Sequence, residues 1–319
     1  MITLDFVYLL AGLVFAAWAV LSAMDAANPR RWINAGFWGL LAFSFTFGDR
    51  LTDFANGLLV VALVILGGIG LGQGQPKTTT PTERAASAER LGAKLFIPAL
   101  IIPVTALLGT LVLAKIEIGG TPLFDPDDPT LIALGLGVLL AVGVGMALIR
   151  PPLMAPVQEG RRLMDAVGWA AILPQMLAAL GAVFALAGVG EVVGGLVADT
   201  IPMNGPLIGV VTYCLGMALF TIIMGNAFAA FPVMTAAIAL PFLIGQFEGD
   251  VAIVCAIGML AGFCGTLMTP MAANFNVVPA NLLELPDRNR MLNGVIRAQI
   301  PTALIMLVAN MALMYFLAF

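Results

Sequence analysis

Residues 265–279 read GTLMTPMAANFNVVP, and they interrupt a run that otherwise has the composition of a lipid-soluble helix. Taken as one continuous helix, residues 251–283 would be about 50 Å long, against a hydrocarbon core of about 30 Å. The run therefore has to unwind, and the quoted stretch says where. Pro270 removes an amide donor and its ring clashes with the preceding turn, while Thr269 is pushed towards extended backbone. A break here frees carbonyl oxygens and exposes a helix N-terminus, so one place can hold a cation on oxygens and an anion on amides. Thr266, Thr269, Asn274 and Asn276 are the side chains that would add oxygens or amides to it. The plainer reading is a proline kink whose neighbours satisfy the backbone again, with the asparagines joining helices.

The rest of the chain is equally apolar. Of its 319 residues, 61% are hydrophobic and 10% charged, with a mean hydropathy of +1.04; a soluble domain has about 45–50% apolar and 25% charged residues. Long apolar runs recur without strand alternation, which leaves helices to satisfy the backbone in hydrocarbon. A net charge of -4 with no basic stripe argues against nucleic acid. The sequence has no histidine, which removes Ser-His-Asp and Cys-His catalysis, imidazole metal sites and histidine proton relays. Cys214, Cys255 and Cys264 lie in apolar runs without metal-ligand spacing and read as packing residues. With no P-loop or dinucleotide fingerprint either, neither an enzyme nor a cofactor is expected.

Taking basic loops as cytoplasmic gives a self-consistent topology. Residues 4–24 have no basic leader and no small-residue cleavage site, and read as a retained helix leading to Arg30 and Arg31. Residues 32–46 cross back to the turn Gly48-Asp49-Arg50, and 51–71 return to a polar loop with Lys77, Arg84, Arg90 and Lys94. Residues 95–113 lead out to the acidic KIEIGGTPLFDPDDP, and 131–149 come back to Arg150, Arg161 and Arg162. PVQEGRRLMDAVG reads as an interfacial linker dividing the chain near residue 165. Residues 169–186 go out again, EVVGGLVADTIPMNG stays outside, and LPDRNRMLNGVIR places Arg288, Arg290 and Arg297 inside. Residues 300–319 then leave the C-terminus outside, on the same side as the N-terminus.

This parity demands a hairpin over residues 207–244. Its centre, TIIMGNAFAAFPVMTA, carries the helix breakers Gly225 and Asn226, and residues 206–246 contain no Lys, Arg, Asp or Glu. The pattern predicts a re-entrant hairpin whose tip is buried in protein, with Asn226 capping the second arm; an ordinary helical hairpin with a short apolar turn is the alternative. Two discontinuous elements facing each other are the pattern of secondary-transporter sites at the bilayer midplane. Between residues 169 and 285 the acidic residues are Glu191, Asp199, Glu248, Asp250 and Glu284, all near membrane edges, so Na⁺ on neutral oxygens fits better than a proton relay.

The fold class expected is an all-α polytopic membrane protein with about eight spanning helices, one re-entrant hairpin (207–244) and one broken helix (251–283). Residues 1–165 are scaffold or interface helices, and residues 166–319 a transport-type half ending in a helix over 300–319. The function expected is secondary active transport of a small organic anion. The rival is a membrane scaffold that stabilises an enzyme complex, its breaks closed onto neighbouring helices.

At GNAFAAFPVMTAAIALPFLI and GTLMTPMAANFNVVPANLLELPDRN the chain resembles a bacterial membrane family catalogued as domain of unknown function 979, over nearly its full length. That family is similar to the ion transporter superfamily, which includes divalent anion/sodium symporters with elevator-type movement. There, a hairpin tip bearing Ser-Asn-Thr and a broken helix bearing Thr-Pro form the sodium and carboxylate sites. By position these fall on Gly225, Asn226 and Ala227, and on Thr269 and Pro270; only the central Asn of the first motif is kept. The resemblance implies substrate contacts at these five residues; the reading of the break adds Asn274 and Asn276 to them, and Thr266 to a Na⁺ site with Asn226 and Thr269. The superfamily fold has two inverted repeats, whereas residues 1–165 contain no second Asn-bearing hairpin or Thr-Pro break, so the chain resembles half of such a transporter. It further implies the bacterial cytoplasmic membrane, 5-oxoproline or a related carboxylate as cargo, and a second membrane subunit resembling domain of unknown function 969, or a homo-oligomer.

Overall fold

The structure is a computed structural model that describes residues 1–74, 79–282 and 291–319, apart from the side chains of Pro81, Pro174, Asn274, Asn281 and Met291. Lys77, Leu283, Glu284, Arg288 and Arg290, assigned above to spans or loops, lie outside the described residues. The chain divides into two compact units, Met1–Gly168 and Trp169–Phe319.

In unit 1, α1 (Leu4–Met24) and α2 (Arg31–Phe47) pack antiparallel. Aromatic rings fill the seam: Phe15 stacks on Trp38 at 5.9 Å and Trp18 meets Trp38 edge-on at 5.5 Å, arrangements that add to plain area burial. A 3₁₀ turn at Gly48–Arg50 leads to α3 (Asp53–Ile69), whose first turn is capped by the Thr52 hydroxyl accepting from the Ala55 amide. The polar α4 (Pro81–Leu91) opens with a reciprocal capping box between Thr80 and Glu83. Next, α5 (Phe96–Leu111) and α6 (Pro129–Ile149) form a tight antiparallel pair. The acidic connection between them folds into a two-stranded ribbon, β1 (Glu117–Ile118) with β2 (Thr121–Pro122). The N-terminus is clipped beside it, the Ile2 amide donating to Leu123 O at 2.8 Å and Ile2 O accepting from the Asp125 amide at 3.0 Å. The segment read as an interfacial linker is a short amphipathic helix, α7 (Ala155–Val167).

In unit 2, a 3₁₀ turn at Gly168–Ile172 leads into α8 (Leu173–Leu186) and then α9 (Val189–Thr200). Residues 191–200 of the stretch read above as external are thus helical. Gly190 and Gly194 lie against Val233, Ala236 and Ala237 of the hairpin, where a side chain would collide with backbone oxygens. The hairpin consists of α10 (Pro206–Met224) and α11 (Ala227–Met234), the latter continuing as wide π-type turns over Thr235–Ile244. Pro232 and Pro241 withhold two amides along this arm, and π-type turns are a known accommodation of such losses. Then α12 (Val251–Leu267), started by the Asp250 carboxylate accepting from the Ile253 amide at 2.9 Å, runs beside α10. A break, π-type turns over Ala273–Val277 and the short α13 (Val278–Leu282) follow. The last helix, α14 (Met291–Ala318), begins well before Ile300, so Arg297 is a helical residue and not part of a loop.

The close approach of α10 and α12 rests on small residues. At Gly262 an added side chain would lie 2.8 Å from Met217 and 3.0 Å from Ala227, and at Gly265 it would strike the Ala218 backbone. The surrounding core of Val210, Tyr213, Met217, Ile238, Leu243 and Met314 is almost fully buried. Cys214 and Cys264 are buried free thiols in this core, as packing residues would be.

Among the described residues, seven helices are long and apolar enough to cross a membrane, the two hairpin arms included, and two shorter apolar helices, α3 and α12, accompany them. The helix α2, which covers the span expected over residues 32–46, is counted neither among the seven nor with these two. The protein is an all-α, multi-pass membrane protein.

Candidate functional site

The hairpin tip is a designed stop. Gly225 ends α10 in a left-handed conformation, φ +81°, that residues with a side chain rarely adopt. Its amide donates to Thr221 O at 2.7 Å. Asn226 is extended and caps α11, its Oδ1 accepting from the Phe228 amide at 2.7 Å. Gly225, Asn226 and Ala227 are all buried, so the tip is enclosed by protein.

What encloses it is the break in the following element. A side chain at Gly225 would lie 2.7 Å from Met271 Cβ and 2.8 Å from Met271 O. The Thr269 hydroxyl donates to Ile222 O at 2.9 Å, taking one of the last carbonyls of α10, which have no partner within their own helix. Asn276 reaches back across the break, its Nδ2 donating to Thr266 O at 2.9 Å and to Thr269 O at 2.7 Å. The Thr266 carbonyl freed by Pro270 is thereby held, and Thr269 O, which also accepts from the Ala272 amide at 3.4 Å, shares the same donor. Thr266 donates to Phe263 O at 2.6 Å.

The predicted residues thus divide. Gly225, Asn226, Ala227, Thr266, Thr269 and Asn276 are brought together around the junction of tip and break. Pro270 causes the break but is itself exposed, as is Met271. Asn274 is in the π-type turns, and its side chain lies outside the described set. Of the residues expected to hold Na⁺, Asn226 spends its oxygen on an amide, Thr266 donates its proton to a carbonyl, and Thr269 both donates to a carbonyl and accepts from the Met271 amide at 3.3 Å, which leaves it a single lone pair.

Two residues not named as candidates, Thr221 and Gln299, lie beside this junction together with Asn276. The Thr221 hydroxyl, on a residue with no exposed surface, has no hydrogen-bond partner, and neither has Asn276 Oδ1, equally buried. Thr221 is one turn before Gly225 and its hydroxyl borders Gly262; Asn276 binds Thr266 O one turn further along α12. Gln299 of α14 donates from Nε2 to Phe275 O at 3.4 Å, and its Oε1 is also unmatched. These are neutral oxygens, the chemistry of a weakly held monovalent cation more than of a transition metal. The helical spacing of Thr221 from Gly225 was available in the sequence; Gln299 carried no such signal.

A second polar centre lies in unit 1, and the motifs did not reveal it. Arg161, 3% exposed, pairs with Asp25 at 2.9 Å and donates to Leu21 O at 2.7 Å. Asp165, one turn on, accepts from Trp38 Nε1 at 2.8 Å and Asn34 Nδ2 at 3.0 Å. Asn34 in turn binds both the amide and the carbonyl of Gly72, each at 2.8 Å, and Asn28 binds the same carbonyl at 3.1 Å. The network ties α1, α2, α7 and the chain after α3 together. Its signal was the i, i+4 spacing of Arg161 and Asp165 on an amphipathic segment.

No curated protein and no solved structure matches the chain. The family model described as "Protein of unknown function (DUF979)" matches residues 5–319, and the chain belongs to that family.

Proposed function

We propose that this chain is a subunit of a secondary active transporter that moves a small organic anion, 5-oxoproline or a related carboxylate, together with Na⁺ across the bacterial cytoplasmic membrane. The observation that carries the reading is the meeting of two chain interruptions in unit 2: the buried tip at Gly225 touches Met271, and buried oxygens of Thr221 and Asn276 beside this junction lack partners. Leaving such groups unmatched is unfavourable by about 1–3 kcal/mol each, which a coordinated cation would relieve. Irregular backbone inside a membrane protein is a hallmark of solute sites in transporters. The N-terminus of α11 at Asn226 supplies amides for the carboxylate once the capping side chain turns away. Unit 2 is the part that would carry the solute in an elevator-type cycle, with a second membrane subunit or a second copy supplying the other repeat.

The competing reading, a membrane scaffold of an enzyme complex, is favoured by a specific feature: Thr269 and Asn276 close the break onto its neighbours with three hydrogen bonds of 2.9 Å or less. Uptake of labelled carboxylates into proteoliposomes holding the chain with any co-purifying membrane subunit separates the two. Transport predicts uptake that collapses without a Na⁺ gradient and falls at least tenfold in Thr221→Val and Asn226→Leu. No uptake above protein-free vesicles for any small carboxylate, from a preparation that retains its subunits, would support the scaffold.

A further inference from the structure

The polar helix α4 and the end of α6 border a cavity in unit 1 that the transport reading does not use. It measures about 390 Å³ and is lined by Arg84, Arg90 and Arg150 with the single acid Glu83. Arg150 terminates α6 in a left-handed conformation, φ +58°, unusual for a residue with a side chain. The Arg90 guanidinium lies 3.5 Å from Ile149 O, at the negative end of the α6 dipole. Arg84 is partly engaged by Glu159 at 3.8 Å and is 41% exposed, and all three arginines are exposed.

A second cavity of about 400 Å³ adjoins the first, sharing Arg84, Ser87, Ile149 and Pro151 with it. Its remaining walls are mainly apolar, among them Leu95, Val142, Met146 and Pro156, with the Glu159 carboxylate at the side where it meets Arg84 and Arg162. Gly145 keeps this wall open, since a side chain there would reach only Pro98, at 3.9 Å. A basic chamber therefore opens into an apolar trough that follows the last turns of α6 towards the middle of a spanning helix.

We infer that this pair of cavities binds an anionic glycerophospholipid of the leaflet that faces the basic loops. The phosphate lies on Arg84, Arg90 and Arg150, and one acyl chain fills the trough. A free phosphate would use the arginines but leave the trough empty; a neutral lipid would fill the trough but leave the arginines unpaired. Basic pockets between spanning helices on the cytoplasmic side are a recurrent setting for such headgroups. The bound lipid joins α4 to α6 and orients α4 along the membrane surface.

Native mass spectrometry of the purified full-length chain, titrated with phosphatidylglycerol, phosphatidylcholine or inorganic phosphate, tests this. Phosphatidylglycerol should bind in preference to phosphatidylcholine, and inorganic phosphate at millimolar concentration should not displace it. Arg90→Gln combined with Arg150→Gly, the latter suited to the left-handed backbone, should weaken binding at least tenfold, as should Gly145→Leu, which keeps every charge and blocks the trough. Arg31→Ala, a basic residue stacked on Trp32 elsewhere, should bind as the parent does. Equal binding of the two lipids, displacement by phosphate, or undiminished binding in both cavity variants would each overturn the proposal.

Discussion

Both units of this protein bury polar groups, and they differ in where the charges lie. In unit 1 the buried centre is built on charges held by partners, Arg161 by Asp25 and Leu21 O and Asp165 by Trp38 and Asn34, although Arg161 Nε and the hydroxyl of Ser22 have none. In unit 2 the buried groups are neutral, they sit where the backbone itself is interrupted, and oxygens of Thr221, Asn276 and Gln299 are left over. A charge in a poorly polarisable interior has to be paired permanently, so the first arrangement is a fastener. Neutral oxygens beside a chain break can stay unmatched at moderate expense and accept a cation when one arrives. On the proposed function, the charged centre fastens unit 1 and the neutral oxygens at the break of unit 2 are the ones that would receive the cation.

The comparison breaks most visibly if unit 1 loses one partner of its ion pair. Asp25→Ala leaves Arg161 buried and without its carboxylate and should lower stability by about 3–5 kcal/mol, read as a reduced unfolding temperature in detergent; a change near zero would mean the ion pair does not fasten unit 1. In unit 2, Asn276→Leu removes the amide that holds Thr266 O and Thr269 O and should destabilise by about 2–3 kcal/mol, by the same measurement. Gly225→Ala forces a side chain into a left-handed position and against Met271; a loss of about 1–2 kcal/mol is expected, with a larger fractional loss of uptake than of stability. The smallest effect should come from Asn226→Ala, which loses the cap on Phe228 and about 1 kcal/mol, and Asn226→Asp should recover most of it.

The two interruptions of unit 2 were legible because each is written in residues with strong local consequences. Pro270 cannot continue a helix, Gly225 and Asn226 end one and start the next, and a charge-free run around them points to a buried tip. What was not legible is how the pieces meet. Nothing local shows that Asn276 folds back on Thr266 and Thr269, that Thr269 reaches Ile222 O, or that Gln299 approaches from a distant helix, since each contact joins segments whose proximity is a tertiary fact. Gly190 and Gly194 show the same limit, since their small size makes sense only against the hairpin arm they touch. In unit 1, Arg161 read as one more basic loop residue because a charge on an amphipathic helix is usually solvated.

The most direct test of the contrast is thermal unfolding of the full-length chain, with any co-purifying subunit, in NaCl and in KCl at equal ionic strength. The expected result is a midpoint several degrees higher in Na⁺, an increment that disappears in Thr221→Val and persists in Asp25→Ala despite its lower baseline. Equal midpoints in the two salts, or a Na⁺ increment that survives Thr221→Val intact, would contradict the assignment of a cation to the unmatched oxygens of unit 2.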